Sequence, residues 1–174
     1  MRQPLPRRKL LKQLAAGALG ASVLGSGALI SSNVQATSVS GRLKGNIRHS
    51  VSRWTYGDLA IEELCLLVKS LGFTAIDLVG PQDWPILKKH GIDSSMCNGA
   101  ELNLEDGWSD PKFHPELIKR YLKHIDLVAE AGYKNLICFS GNARGMDRET
   151  ALENAVQGLK QILPQAEKRG VVLQ

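Results

Sequence analysis

Five short apolar runs separated by four helix-like stretches fill residues 46–174, and no other feature constrains the fold as strongly. Strands alternating with helices form a parallel sheet covered by helices, because each parallel strand needs a crossover to return to the same end. The strand-like runs are Ile47–Trp54 (IRHSVSRW), Ala75–Val79 (AIDLV), Ile92–Cys97, Asn135–Ser140 (NLICFS) and Val171–Gln174. The spacing of Ile61, Leu64, Val68 and Leu71 predicts an amphipathic helix over Asp58–Leu71. A short helix is expected over Trp84–His90. A longer one, over Pro115–Ala131, carries Leu117, Ile118, Tyr121, Leu122, Ile125, Val128 and Ala129 on one face. Asp147 is suited to cap a fourth helix, which Pro164 should kink or split. Gly72, Gly91, Gly132 and Gly170 stand where helices stop. Five strands are a little over half of an eight-stranded barrel, which typically needs about 250 residues. The expected fold is therefore α/β, a (β/α)8 TIM barrel truncated after about strand 5.

The formal charge of +5 is confined to one end. Arg2, Arg7, Arg8, Lys9 and Lys12 lie in the first 36 residues, which hold no acid, and without them the chain has 17 basic and 17 acidic residues. A neutral body offers no electrostatic footprint for nucleic acid or for an anionic membrane. The leader itself has the parts of an export signal. Arg7-Arg8-Lys9-Leu10-Leu11-Lys12 resembles the twin-arginine motif, Leu14–Ile30 is uncharged and moderately apolar, and Val34-Gln35-Ala36 offers small residues for cleavage. The uncharged stretch approaches the roughly 20 residues that span a bilayer. Its glycines and the cleavage-like site favour a removable signal over an anchor. The expected organisation is a signal peptide over 1–36, a polar linker over 37–46 and the barrel portion over 47–174. The twin-arginine export machinery is then a partner, and the location is periplasmic or otherwise exported.

Cys65, Cys97 and Cys138 lie in apolar helix or strand contexts without CxxC or metal-ligand spacing. They read as small buried hydrophobes rather than a disulfide framework. The connections after the strands are rich in Gly, Asn and Ser, whereas those before them are single glycines. This asymmetry puts the binding face at the C-terminal ends of the strands.

Candidate ligand contacts follow from that placement. Arg53 and Trp54, with Ser52 and Tyr56 beside them, end the first strand and suit an anionic, oxygen-rich substrate; the alternative is that Trp54 packs the rim and Arg53 is solvated. Asn98 follows the third strand and opens a long connection carrying Glu101, Glu105, Asp106 and Trp108; these carboxylates read as solvated loop charges. Ser140 and Asn142 lie in Phe139-Ser140-Gly141-Asn142-Ala143-Arg144-Gly145-Met146, where backbone amides could approach a small polar ligand, although a glycine-rich turn of this kind also serves geometry alone. Asp77 interrupts an apolar strand, where a structural pairing inside the barrel is expected ahead of the alternative, a catalytic role. His49, His90, His114 and His124 do not cluster, and no acid–base, Ser-His-Asp or metal-ligand set can be assembled from this sequence.

Four segments resemble the hydroxypyruvate isomerase-like proteins of the xylose isomerase-like TIM-barrel superfamily: SVSRW, GPQDWPILKKHG, NLICFSGNARGM and ILPQAEKRGVVL. The resemblance covers about residues 43–174, and NLICFSGNARGM is its most specific piece. It implies an isomerase that interconverts a hydroxy-aldehyde and a hydroxy-ketone, nominally hydroxypyruvate and tartronate semialdehyde, by proton transfer through an enediolate. It also implies a divalent metal such as Mg or Mn, whose ligands in that family come from strand five onward. No catalytic or metal residue can then be carried onto this chain, and the 174-residue chain alone is expected to be inactive. The alternatives are a ketose epimerase of the same superfamily, a non-catalytic periplasmic sugar-binding module, or an inactive fragment whose open strand edge would invite self-association into a homo-oligomer.

Overall fold

A computed structural model describes residues 46–174. The expected leader, with Arg7, Arg8 and Ala36, and all but the last residue of the expected linker lie outside the described residues. In chain order the elements are β1 (Ser50–Ser52), a 3-10 turn (Arg53–Tyr56), α1 (Ile61–Ser70), β2 (Ala75–Val79), α2 (Trp84–His90), β3 (Asp93–Cys97), a second 3-10 turn (Pro111–Phe113), α3 (His114–Glu130), β4 (Asn135–Leu136), α4 (Arg148–Leu159), α5 (Leu163–Arg169) and β5 (Val172–Leu173). The five strands form one sheet in the order β1-β2-β3-β4-β5, and every pairing is parallel. Sequential parallel strands with helices in the crossovers are the arrangement of a (β/α)8 barrel wall.

The sheet buries one face under the helices. Residues paired in register on neighbouring parallel strands share a face. Ile76, Val79, Cys97 and Leu136 point to the helix side and join Leu64, Val68, Leu87, Tyr121, Ile125 and Val128 in the core. Two polar anchors tie helices to strand ends. Trp84 Nε1 donates to the Val79 carbonyl at 2.9 Å, and Tyr121 OH donates to the Ile137 carbonyl at 2.9 Å. The opposite face carries Ser52, Asp77 and Met96 in one register row, with Asn135 further along the sheet.

The helix expectations hold to within a few residues. Gly91 and Gly170 are left-handed C-caps of α2 and α5, at φ 68° and 67°. Asp147 caps α4 by accepting from the Thr150 amide, and the segment around Pro164 does divide into two helices. Leu71 departs from its predicted stripe: it is the C-cap of α1 and 58% exposed.

The first and fourth strands are shorter than their apolar runs by four residues or more. The first ends at Ser52 because the chain then folds into the 3-10 turn, held by Thr55 Oγ1 donating to the Ser52 carbonyl at 2.7 Å and Arg53 Nη1 to the Tyr56 carbonyl at 2.6 Å. The fourth leaves the ladder after Leu136, although Ile137 N still donates to the Cys97 carbonyl at 3.0 Å. Beyond it, residues 139–142 pair with a connecting loop rather than a strand.

Exposed large apolar side chains concentrate on the outer βα units: Leu66 and Leu67 on α1, Leu152 and Val156 on α4, and Val172 on β5. Core and rim should therefore respond differently to truncation. Ile125→Ala, at a fully buried position, is expected to cost about 2–5 kcal/mol of unfolding free energy. Leu66→Ala, 55% exposed, should stay within about 0.5 kcal/mol. Urea titrations followed by circular dichroism measure both.

Candidate functional site

Among the described residues, concavities flank the sheet at both ends of the strands. The larger, about 870 Å³, opens at the N-terminal ends and is lined by His49, Thr74, Asp93, Lys134 and Asn135 among others. The turns beside it are single glycines, so few side chains there can be shaped around a ligand. The smaller, about 370 Å³, lies at the C-terminal ends, where Arg53, Trp54, Leu78, Asn98, Glu101 and Phe139 come together from four consecutive βα units. Barrels of this architecture place chemistry at that end, so the smaller pocket is the candidate site despite its size.

The pocket joins an aromatic platform to a cation. Trp54 is 70% exposed, which leaves its ring open to a ligand. Arg53 is only partly free. Its Nη1 and Nη2 donate to the Tyr56 and Leu59 carbonyls at 2.6 and 3.0 Å, so the guanidinium shapes the 3-10 turn and its remaining N–H groups have no partner among the described residues. It forms no ion pair among the described residues, so its charge is available at the mouth.

Glu101 is a partly exposed loop carboxylate that also has a local partner. Its Oε2 accepts from the Gly99 amide at 2.7 Å, and its carbonyl accepts from Arg120 Nη1 at 3.0 Å. Glu101 and Asn98 thereby meet at the mouth through the turn after β3. The sequence signal for this was the Asn98-Gly99 pair directly after β3. Gln82, Asp83 and Leu104 also line the pocket and were not singled out in the sequence.

Ser140 and Asn142 take a different position. The loop between β3 and α3 docks along residues 139–142, with Trp108 N donating to the Phe139 carbonyl at 3.2 Å, Ser109 N to the Ser140 carbonyl at 2.8 Å and Asn142 N to the Glu105 carbonyl at 2.8 Å. Gly107 and Gly141 permit this approach: a Cβ on Gly107 would lie 2.3 Å from the Phe139 carbonyl oxygen, and one on Gly141 2.4 Å from Gly107 N. Backbone groups expected from sequence to meet a ligand are thus engaged in holding the loop. Neither Ser140 nor Asn142 lines the mouth pocket.

Arg144 reinforces the docking. Its guanidinium pairs with Asp106, approaches Asp110 at 3.7 Å, and stacks on Phe113 with 5.3 Å to the ring centroid. The hydrogen bond from Arg144, together with one from Asn103, holds the Asp106 carboxyl below its ordinary value.

Other titratable groups serve the packing. His114 is buried with Nε2 2.9 Å from the Trp108 carbonyl, and His90 lies 3.0 Å from Glu62. All three cysteines are free. Burial pushes the Cys138 thiol up to about 11 and raises Cys65 and Cys97 as well, which removes them as nucleophiles at neutral pH. Among the described residues no three His, Cys, Asp or Glu side chains come together in a way that could hold a metal ion. These side chains on their own do not fit the divalent metal that the resemblance implies.

No protein-family model matches the sequence, and no curated protein does. Solved structures do match in fold. A sugar phosphate isomerase/epimerase from Parabacteroides distasonis ATCC 8503 aligns with a TM-score of 0.56 at 14% identity, over 78% of this chain and 52% of that one. A D-psicose 3-epimerase from Clostridium cellulolyticum H10, solved with D-tagatose, gives 0.55 at 14% identity over 73% and 51%. A xylose isomerase domain containing protein from Salmonella typhimurium LT2 gives 0.55 at 16% identity over 72% and 47%. The chain spans about half the length of these structures. At such identities the likeness shows the fold: a parallel α/β wall of the (β/α)8 barrel kind.

The loop docking generates a direct test. Gly141→Ala must force apart backbone atoms that are in contact, and Arg144→Ala removes the ionic latch. Both should open residues 101–106 to limited proteolysis several-fold faster than in the parent, with Gly141→Ala the more severe. The latch has a defined pH sign. Because the Asp106 carboxyl is depressed from its ordinary 3.8, its contribution is present above pH 3.8 and is lost as pH falls through the lowered value. Cleavage of the parent, but not of Arg144→Ala, should therefore accelerate on acidification below that pH with an acid-active protease.

Proposed function

We propose that this chain supplies the Arg53–Trp54 wall of the active site of an exported sugar-type isomerase, with hydroxypyruvate and tartronate semialdehyde as the nominal pair. The observation that carries the reading is the mouth pocket itself: consecutive parallel strands deliver an exposed tryptophan, a guanidinium with unused donors and an asparagine to one concavity at their C-terminal ends. A small hydroxy-carbonyl compound matches that set. Its carbon skeleton lies on the Trp54 ring, and its carboxylate or carbonyl oxygens accept from the free N–H groups of Arg53.

The reaction moves one hydrogen between adjacent carbons. The C–H bond beside the carbonyl breaks, its proton passes to a base, and the electron pair forms an enediolate; the former carbonyl carbon is then reprotonated while the hydroxyl proton passes from one oxygen to the other, so that carbonyl and hydroxyl exchange places. This wall's task is to hold the substrate in one orientation while that happens. The divalent metal implied by the resemblance has no ligand set among the described residues, so no step is assigned to it.

A ketose epimerase is the second reading, favoured by the fold likeness to a structure named as a D-psicose 3-epimerase. A non-catalytic sugar-binding module is the third. Assays of the full-length protein for tartronate semialdehyde from hydroxypyruvate, and for D-psicose from D-fructose, each with Mg²⁺ or Mn²⁺, separate the first two. Saturable binding without turnover of either compound would favour the module. Trp54→Ala should weaken substrate binding about tenfold, as expected for loss of an aromatic contact worth about 1 kcal/mol or slightly more. Its stability should hardly change, because the ring is mostly exposed.

Export belongs to the same proposal and rests on Arg7, Arg8 and the cleavage-like site ending at Ala36. The periplasmic protein should begin at Thr37 by mass spectrometry, and replacing Arg7 and Arg8 together with lysine should retain it in the cytoplasm at full length.

A further inference from the structure

Ser52 and Asp77 stand opposite each other in register on β1 and β2, on the face of the sheet turned away from the helices. Ser52 Oγ and Asp77 Oδ1 are both shielded from solvent, and neither has a hydrogen-bond partner among the described residues. The structural pairing expected for Asp77 is thus not found among them. Asn135, on the same face, shows what a polar side chain there can obtain: its Nδ2 donates to the Ser95 carbonyl at 2.8 Å, and its Oδ1 accepts from Gln174 Nε2 at 2.9 Å. A shielded carboxylate oxygen without a donor is costly, and an unpartnered hydroxyl in the adjacent register position compounds the cost.

The backbone at the same place is irregular. The register between β2 and β3 breaks on both sides of Asp77, and the next residue, Leu78, is held at φ 58°, a conformation that a bulky non-glycine side chain rarely adopts. Strain and unmet polar groups gathered at one point oppose stability, and such combinations collect where a ligand is met. The position fits. Ser52 immediately precedes Arg53, and Leu78 lines the mouth pocket, so the row Ser52–Asp77–Met96 is the layer next below the mouth.

We propose that Ser52 and Asp77 form a hydroxyl-binding floor beneath the mouth, selecting ligands that present an alcohol group down the barrel axis. The two side chains have complementary needs. The Asp77 carboxylate accepts and the Ser52 hydroxyl can donate, and an alcohol answers both at once because it donates one hydrogen and accepts another. A ketone or carboxylate oxygen would satisfy Ser52 only and would face the aspartate without a hydrogen to share. A metal ion would need more ligands than these two. The inference rests on the proposed function to the extent that the ligand enters by the same mouth.

Hydroxypyruvate and pyruvate differ by one hydroxyl and test the floor directly. Calorimetric titration of the full-length protein should show hydroxypyruvate binding at least about tenfold tighter than pyruvate, a difference of about 1.4 kcal/mol. Asp77→Ala and Ser52→Ala should each bring the two affinities to within a few-fold by weakening hydroxypyruvate alone, while Tm stays level or rises. Retained selectivity in both variants would overturn the assignment. So would a fall of several degrees in the Tm of Asp77→Ala, which would mark a structural partner for the carboxylate. If the parent binds neither compound, nor D-fructose, the mouth-pocket reading fails. The unliganded Tm of Asp77→Ala then decides alone: a level or raised value supports a side chain kept for a ligand rather than for stability, and a fall refutes it.

Discussion

A sheet of parallel strands makes opposite demands on its two faces, and the organisation of this chain follows from that division. On the helix side, Ile76, Val79, Cys97 and Leu136 must be apolar, because the crossovers bring helices down onto them. On the other side, Ser52, Asp77 and Asn135 can be polar because the helices of those crossovers do not pack there. The parallel direction then carries every strand's C-terminal end to one side. Arg53, Trp54, Asn98 and Phe139, far apart in sequence, become neighbours through topology alone.

Much of the architecture was legible in the sequence because it depends on periodicity and stop signals. The stripe of Leu117, Tyr121, Ile125 and Val128 predicts α3, and AIDLV coincides with β2. The shortfalls have a common physical source. The apolar runs at Ile47–Trp54 and Asn135–Ser140 look like full strands, but hydrogen bonds at their ends redirect the chain, to the 3-10 turn in one case and to the docked loop in the other. Such bonds leave no periodic trace.

The candidate site was legible to a similar depth. Arg53, Trp54 and Asn98 could be placed at the mouth because they end strands, and strand ends are what an apolar pattern locates. Ser140 and Asn142 also follow a strand, but their backbone groups are taken by the loop around Gly107, a partner that no local signal identifies. Asp77 was visible as a charge inside an apolar run. What its carboxylate meets depends on the register with β1 and β3, which only the assembled sheet defines.

The docked loop also fixes the shape of one side of the mouth. A connection of this length could have been a hinged lid, closing over whatever enters. Instead three backbone hydrogen bonds, a glycine-to-glycine contact and the Arg144 guanidinium hold it against residues 139–142, beyond β4. Trp108, fully buried between His114 and Tyr121, locks its far end into the core. The β3–α3 side of the mouth is therefore a wall of set shape. In the proposed reading, selection on this side would use groups already in place, Arg53 and Trp54 at the rim and the Ser52–Asp77 row below, rather than closure of this loop around the ligand.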